Sequence, residues 1–295
     1  MTTLLPVLDG RTLSLDAALK HPTAIRDRIA KIADRQLVAP AFFHSLGQKI
    51  EGGGLLYSVV KAADQYTAGD VEQRAPGQEY KVVEGVDPEQ KLARVEDWGG
   101  KFQITDEQRD RNDVSYLDQQ TTQLANTIAR KVDVRAMATV VKAITDLAGA
   151  GTVPGHDWGN LVLEGPLDQI TPSGSRPTAD FAAAQLAADL EDLGVVHNTL
   201  VVHPEQAADL RTAYGADLKA MLDAAGLTLV VNPRVAAGTA YVAEKGEAGV
   251  VGFERPLTIT TWRDEATRST WVQAYVVPAF AINRPGAVKQ LTELA

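Results

Sequence analysis

Five histidines, His21, His44, His156, His197 and His203, are the first residues to weigh for metal or acid–base chemistry, and none stands at a ligand-like spacing from carboxylates. His197 and His203 bracket one strand-like run and read as its ends. The run Gly149-Ala150-Gly151-Thr152-Val153-Pro154-Gly155 has the glycines of a phosphate cradle, but a cradle must follow a strand and open a helix. This one follows a helical pattern and contains Pro154, so it reads as a linker. No serine sits in a Gly-x-Ser-x-Gly elbow, and the carboxylates are scattered without a catalytic signature. Trp98, Trp158, Trp262 and Trp271 offer stacking faces, but Trp262 and Trp271 fall in a predicted terminal hairpin and suit core packing. The sequence therefore assigns no catalytic, cofactor-binding or metal residue; a protein that is not an enzyme is expected.

The chain has 295 residues, 45% of them hydrophobic, enough for one large unit with subdomains or for two domains. A formal net charge of -9 leaves no basic excess to neutralise phosphates, so sequence-specific nucleic-acid binding is not expected. The absence of cysteine excludes disulfides, thiolate zinc sites and a cysteine nucleophile, and is consistent with a reducing cytoplasm. Met1–Gly10 has no basic region followed by an apolar run, and nowhere do about eighteen apolar residues follow one another, so a soluble protein is expected.

Several elements can be read from the pattern. Residues 12–37 read as one or two short helices: Ser14 can cap the first, Pro22 suits an early helical position, and Ile25, Ile29 and Ile32 share a face until Pro40. From Gly52 to Asp110 the chain turns polar, with twelve acids against seven bases between Asp64 and Arg111. Here Glu79–Val83 and Gln90–Val95 are predicted as two strands joined at Gly85–Pro88, and Lys101–Thr105 returns the chain to the body. So polar a hairpin cannot bury itself and must pack on something else.

Thr105 can cap a short helix through Gln108, and Asp113 a much longer one. In the latter Val114, Leu117, Thr121, Leu124, Ile128, Val132, Val140, Ile144 and Leu147 follow three- and four-residue steps until Gly149 and Gly151. Ala136 and polar positions interrupt a strict heptad, which favours one long helix on a sheet over a coiled coil. Beyond a Gly/Pro/Ser-rich stretch to Pro177, the pattern alternates. An Ala-rich helix runs from Thr178 to Gly194, Val195–Val202 is strand-like, Pro204–Tyr214 and Asp217–Ala225 are helical, and Leu227–Val231 is again a strand. The remainder is β-rich: Thr239–Val242, Gly249–Phe253, Leu257–Arg263, Ser269–Ile282 and Ala287–Leu291, with a hairpin turn at Asp264–Thr267.

This order resembles the capsid fold of the Hong Kong ninety-seven phage and its relatives. Arg74-Ala75-Pro76-Gly77-Gln78-Glu79-Tyr80 is similar to the turn before a strand in the family's extended loop. Lys101-Phe102-Gln103-Ile104-Thr105-Asp106-Glu107 resembles the loop's return, and Val114–Leu147 matches the spine helix. Leu200-Val201-Val202-His203-Pro204 looks like the strand-to-helix step of the axial subdomain. Gly246–Gly252, Leu257–Trp262 and Trp271–Pro278 look like the return into the peripheral subdomain.

The resemblance implies an α+β fold of the Hong Kong ninety-seven type. Its parts would be an N-terminal arm (1–51), an extended β-hairpin loop (52–105), a peripheral subdomain with the spine helix and a β-sheet (106–176 and 255–295), and an α/β axial subdomain (177–254). The function it implies is structural: a major capsid protein that self-assembles as hexamers and pentamers into an icosahedral shell. That shell encloses phage DNA without sequence-specific binding, is assembled in the host cytoplasm and has no membrane contact. Scaffolding, portal and decoration proteins are the implied partners. Some relatives carry a long helical scaffolding extension, whereas here roughly fifty residues precede the loop, so scaffolding is either separate or already processed away.

Relatives that weld their subunits join a lysine of the extended loop to an asparagine of a peripheral loop. Lys81 and Lys91 fit the amine, but Arg263–Thr270 holds no asparagine and Asn283 lies beyond it, so a non-covalent shell is implied. Other readings stay open: a cellular encapsulating shell protein of the same fold, another virion component such as a tail or decoration protein, and, from a different class, an enzyme with an undetected cofactor site in residues 177–254.

Overall fold

The computed structural model describes Leu19 and residues 22–34 and 37–295. Ser14 thus lies outside the described residues. The first helix, α1 (Pro22–Asp34), buries Ile25 and Ile29, and a short α2 (Ala39–Phe42) follows with Pro40 in its first turn.

Two sheets organise the body. The first has four strands in the order β1-β9-β10-β4: β1 (Phe43–Lys49), β4 (Trp98–Thr105), β9 (Gly249–Asp264) and β10 (Ser269–Ala281). The pair β9/β10 is the expected hairpin. Its turn is held by the Asp264 carboxylate, which accepts from Ala266 N–H and Thr267 Oγ1–H, and is closed by Arg268 at φ 46°. Alternation along β4 and β10 buries Phe102, Ile104, Val272, Ala274 and Val276 on one face.

The long helix, α4 (Val114–Thr145), lies against that face; it follows a short α3 (Asp106–Asp110). Both helices start as expected. Thr105 and Gln108 form a reciprocal capping box, and Asp113 accepts from Tyr116 N–H. At about 1.5 Å per residue α4 is roughly 48 Å long, and it links two cores. Leu117, Ala125 and Ile128 pack with Ile25, Ile29 and the four-stranded sheet, while Ala136, Met137, Val140 and Ile144 pack with Phe42, Tyr241 and Val288.

The buried face differs from the expected one in detail. Val114 is exposed, and Leu124 and Val132 are half-buried, because alanines at 125, 129 and 136 let the helix sit close on its neighbours. Leu124 covers Gly100, where an added Cβ would lie 2.8 Å from Leu124 Cδ1. Leu124→Asp should therefore cost about 2 kcal/mol, against under about 0.5 kcal/mol for Gln119→Asp on the exposed face. Urea midpoints of the two variants make the comparison; equal values would show that position 124 is not a packing position.

The second sheet has five strands in the order β5-β11-β8-β6-β7: β5 (Thr152–Pro154), β6 (Thr199–Val202), β7 (Thr228–Val231), β8 (Ala240–Ala243) and β11 (Val288–Thr292). Only β8 runs against its neighbours. Helices α5 (Pro177–Asp189), α6 (Pro204–Tyr214) and α7 (Leu218–Ala224) cover one face through Phe181, Leu210 and Leu222. The other face meets α2 and the end of α4. Burial on both sides is why β6 and β8 read as apolar runs.

Three expectations need correction. Glu79–Val83 forms no strand: β3 (Glu89–Arg94) pairs instead with β2 (Gly54–Val59). The reason is burial, since Leu55, Tyr57 and Ala93 reach Ile50, Ala279 and Ala281, whereas Tyr80 and Val82 have no body surface beneath them. Second, Trp262 and Trp271 are not core residues. They stack at 6.3 Å on the sheet's open face, under Lys101 Nζ, because their parity is opposite to that of buried Val272.

Third, β5 and β11 lie in the five-stranded sheet although the sequence sets both outside 177–254. Residues 249–254 begin β9, and β4 (98–105), which holds the expected return at Lys101–Thr105, belongs to the four-stranded sheet. A three-residue strand has no periodicity to read, and a short apolar strand does not announce which sheet it joins.

Candidate assembly surfaces

The histidines are accounted for singly. His44 Nδ1 lies 2.7 Å from Gly246 O; His203 caps α6, its ring accepting from Glu205 N–H. His156 Nδ1 lies 2.6 Å from buried Asp180, which also accepts from Trp158 Nε1–H at 2.8 Å, so this cluster pins the chain after β5 onto α5. His197 enters β6 with both ring nitrogens buried and without a partner; burial first, and the nearby Lys289 charge second, push its pKa down to about 4. His21 lies outside the described residues, and among the described residues no cluster of three metal-ligating side chains occurs. The glycine-rich run 149–155 is a turn leading into β5, not a cradle opening a helix.

Buried charged groups such as Asp180, Asp133 and Lys289 escaped sequence reading, since type alone does not distinguish a buried carboxylate or lysine from a surface one. Asp133, in the middle of α4, accepts from Val38 N–H at 2.9 Å and Asn232 Nδ2–H at 3.1 Å, tying the segment before α2 and the chain after β7 to the helix. Burial pushes its carboxyl up despite those bonds. Lys289, on β11, is fully buried and donates to Glu191 Oε1 at 2.5 Å and Ala150 O at 2.9 Å.

The hairpin β2/β3 leans along the C-terminal end of α4. Lys91 reaches Asp146 at 3.2 Å and Arg135 reaches Glu96 at 2.7 Å. Its root is fixed by Val60 N–H donating to Asn283 O, and Tyr66 OH donates to Asp192. Lys81 pairs with Glu72 at 2.9 Å. Between the strands, residues 60–88 leave Val71, Tyr80 and Val82 at 75%, 74% and 86% exposure, and Leu56 and Leu92 on the hairpin are also open. So many exposed large apolar side chains on one excursion make it a candidate contact surface.

A family model described as phage capsid protein matches residues 88–290, well over half of the chain. No curated protein matches the sequence. Among solved structures, the virus-like particle from Pyrococcus furiosus is similar at TM-score 0.58 and 13% identity, covering 91% of this chain and 98% of that one. The capsid of cyanophage P-SCSP1u gives 0.58 at 15% identity, with 85% of each chain covered. The capsid of Myoviridae phage XM1 gives 0.57 at 13% identity, covering 87% and 90%. At these identities the likeness carries the fold, which is that of the Hong Kong ninety-seven capsid proteins. With the family match, it identifies the chain as a member of the phage capsid protein family, a structural protein of the virion shell.

Proposed function

We propose that this protein is the major shell subunit of a tailed phage, arranged as pentamers and hexamers around an axial unit within residues 177–254, joined by the strands β5 and β11. The observation that carries the reading is the exposed apolar excursion 60–88 with its hairpin, which gains full contact only against another subunit. The arm (1–51), extended loop (52–105) and peripheral segments (106–176 and 255–295, apart from β5 and β11) supply the overlaps between neighbours. The shell encloses DNA without reading its sequence and needs no catalytic residue, in keeping with the net charge of -9. Assembly in the host cytoplasm, with scaffolding, portal and decoration proteins as partners, completes the proposal.

The shell is non-covalent. Lys81 and Lys91 are engaged by carboxylates of their own chain, and Asn283 sits at the root of its own loop. The test is limited proteolysis joined to negative-stain microscopy. Closed particles should form, residues 64–100 should be cut first in free subunits and be protected in particles, and boiled particles should run as one band near 31.6 kDa. Protein that stays monomeric across salt and concentration would overturn the assembly reading, and a ladder surviving boiling would overturn the non-covalent one.

A further inference from the structure

The helix α4 carries a charge pattern opposite to that of the whole chain. Between Gln119 and Thr145 it holds four bases, Arg130, Lys131, Arg135 and Lys142, and a single carboxylate, in a protein whose net charge is -9. That carboxylate, Asp133, is buried and accepts from Val38 N–H and Asn232 Nδ2–H, so it offers nothing to the outer face. At about 1.5 Å per residue, the outer face of the helix is free of acid over roughly 39 Å.

A helix that is merely solvated alternates its signs, so that a base finds an acid three or four residues away. Here Arg135 is taken by Glu96, and Lys131, one turn before it, is exposed and without a carboxylate partner among the described residues. The same holds for the exposed Arg130 and Lys142. The hairpin does not neutralise them. Lys142 and the exposed Arg94 of β3 line one hollow with Glu89, Glu96 and Asp146, but those three carboxylates are held by Lys61, Lys91 and Arg135. Among the described residues, Arg94, Arg130, Lys131 and Lys142 are thus surplus cations on one surface, and Gln119 and Gln123 extend it with exposed amides.

Such a strip selects its partner by charge. The excursion 60–88 of another copy would bring acids, but also Val71, Tyr80 and Val82, and the strip answers them only with the part-exposed Val134 and Val141. Arginine, lysine and glutamine without acid are instead the side chains that hold phosphates, and phosphate contacts carry no sequence information. We infer that the outer face of α4, from Gln119 to Lys142 and across to Arg94, is the wall that meets the enclosed duplex DNA. This rests on the shell reading. It adds a direction to the shell: the helical side of the four-stranded sheet faces inward, and the opposite face, with Trp262 and Trp271, faces outward.

The test uses the full chain as free subunits, with a fluorescent duplex of about 30 base pairs as probe, read by polarisation from low to rising salt. Arg130→Gln/Lys131→Gln/Lys142→Gln is compared with Arg211→Gln/Lys219→Gln/Lys245→Gln, which removes the same charge from exposed positions elsewhere. The strip variant should bind at least about tenfold more weakly at low salt and flatten the slope of log affinity against log salt by about 3, while the control stays within about twofold of the parent. Equal loss in both variants, or a parent that binds no duplex, would overturn the proposal. A second measurement leaves these bases in place. The chain has no cysteine, so Gln123→Cys and Thr260→Cys, both exposed, can each carry an aryl azide in DNA-filled particles. On irradiation the label at 123 should attach to DNA and the label at 260 should not. Attachment from 260 alone, or from 123 to a neighbouring subunit in place of DNA, would overturn the inward direction and leave the shell reading intact. Failure of the unmodified chain to form particles would instead count against the shell reading itself.

Discussion

Glu191→Ala should destabilise the subunit by about 3–5 kcal/mol, a large part of the stability of a typical domain. Lys289 has no access to water, and its ammonium is held by Glu191 Oε1 and Ala150 O. Removing the carboxylate leaves the buried ammonium with the Ala150 carbonyl, in a site walled by Leu193, Gly286 and the α4–β5 turn. Replacing both partners by apolar side chains removes the stranded charge along with the bond. The double variant Lys289→Met/Glu191→Leu should accordingly recover most of the loss. Urea unfolding of the free subunit makes the comparison; a cost below about 1 kcal/mol for Glu191→Ala would show that water reaches the ammonium.

The second large effect is acid lability centred on His197. Its folded pKa is about 4 against an ordinary 6.5, so between those values the unfolded chain binds more protons than the folded one. Stability contributed by the neutral ring is therefore fully present above pH 6.5 and falls as pH drops towards 4. The loss is about 1.4 kcal/mol per unit, roughly 3 kcal/mol in all, and levels off below the folded value. His197→Leu removes the titrating group, so the difference between the parent and this variant isolates its share from that of the carboxylates. Parallel stability curves for the two proteins from pH 7.5 to 4.5 would refute the assignment.

What could be read in the sequence divides along physical lines. The start of α4, the capping box at Thr105 and the turn at Asp264 are local: side chain and backbone partners lie within a few residues, so spacing alone reports them. Strands β6 and β8 were legible because both faces are buried and every residue but Thr199 is apolar. The partner of β3 was not. Spacing favours Glu79–Val83, close to β3, whereas Gly54–Val59 wins because it packs with β3 over Ala279 and Ala281, far away in the chain. The face of Trp262 and Trp271 failed for a related reason: hydrophobicity names the residues that prefer burial, but strand parity decides which are granted it.

The candidate surfaces were legible only as a whole. The polar composition of residues 64–111 marks a segment that cannot fold on its own, and the structure supplies the exposed Val71, Tyr80 and Val82 that make it a contact surface. Lys289, Glu191 and Asp133 carried no signal, because a buried charge and a solvated one are written with the same letters.

The position of β11 sets a limit on timing. It lies between β5 and β8, yet it is made after every other strand of its sheet. While a ribosome is still delivering the chain, that sheet exists as two unconnected pieces, β5 on one side and β8-β6-β7 on the other. The edge of β8, Ala240–Ala243, that pairs with β11 stays bare until residues 288–292 emerge. A nascent chain therefore has no finished five-stranded sheet until residues 288–292 have left the ribosome, and any surface that depends on that sheet is set only then.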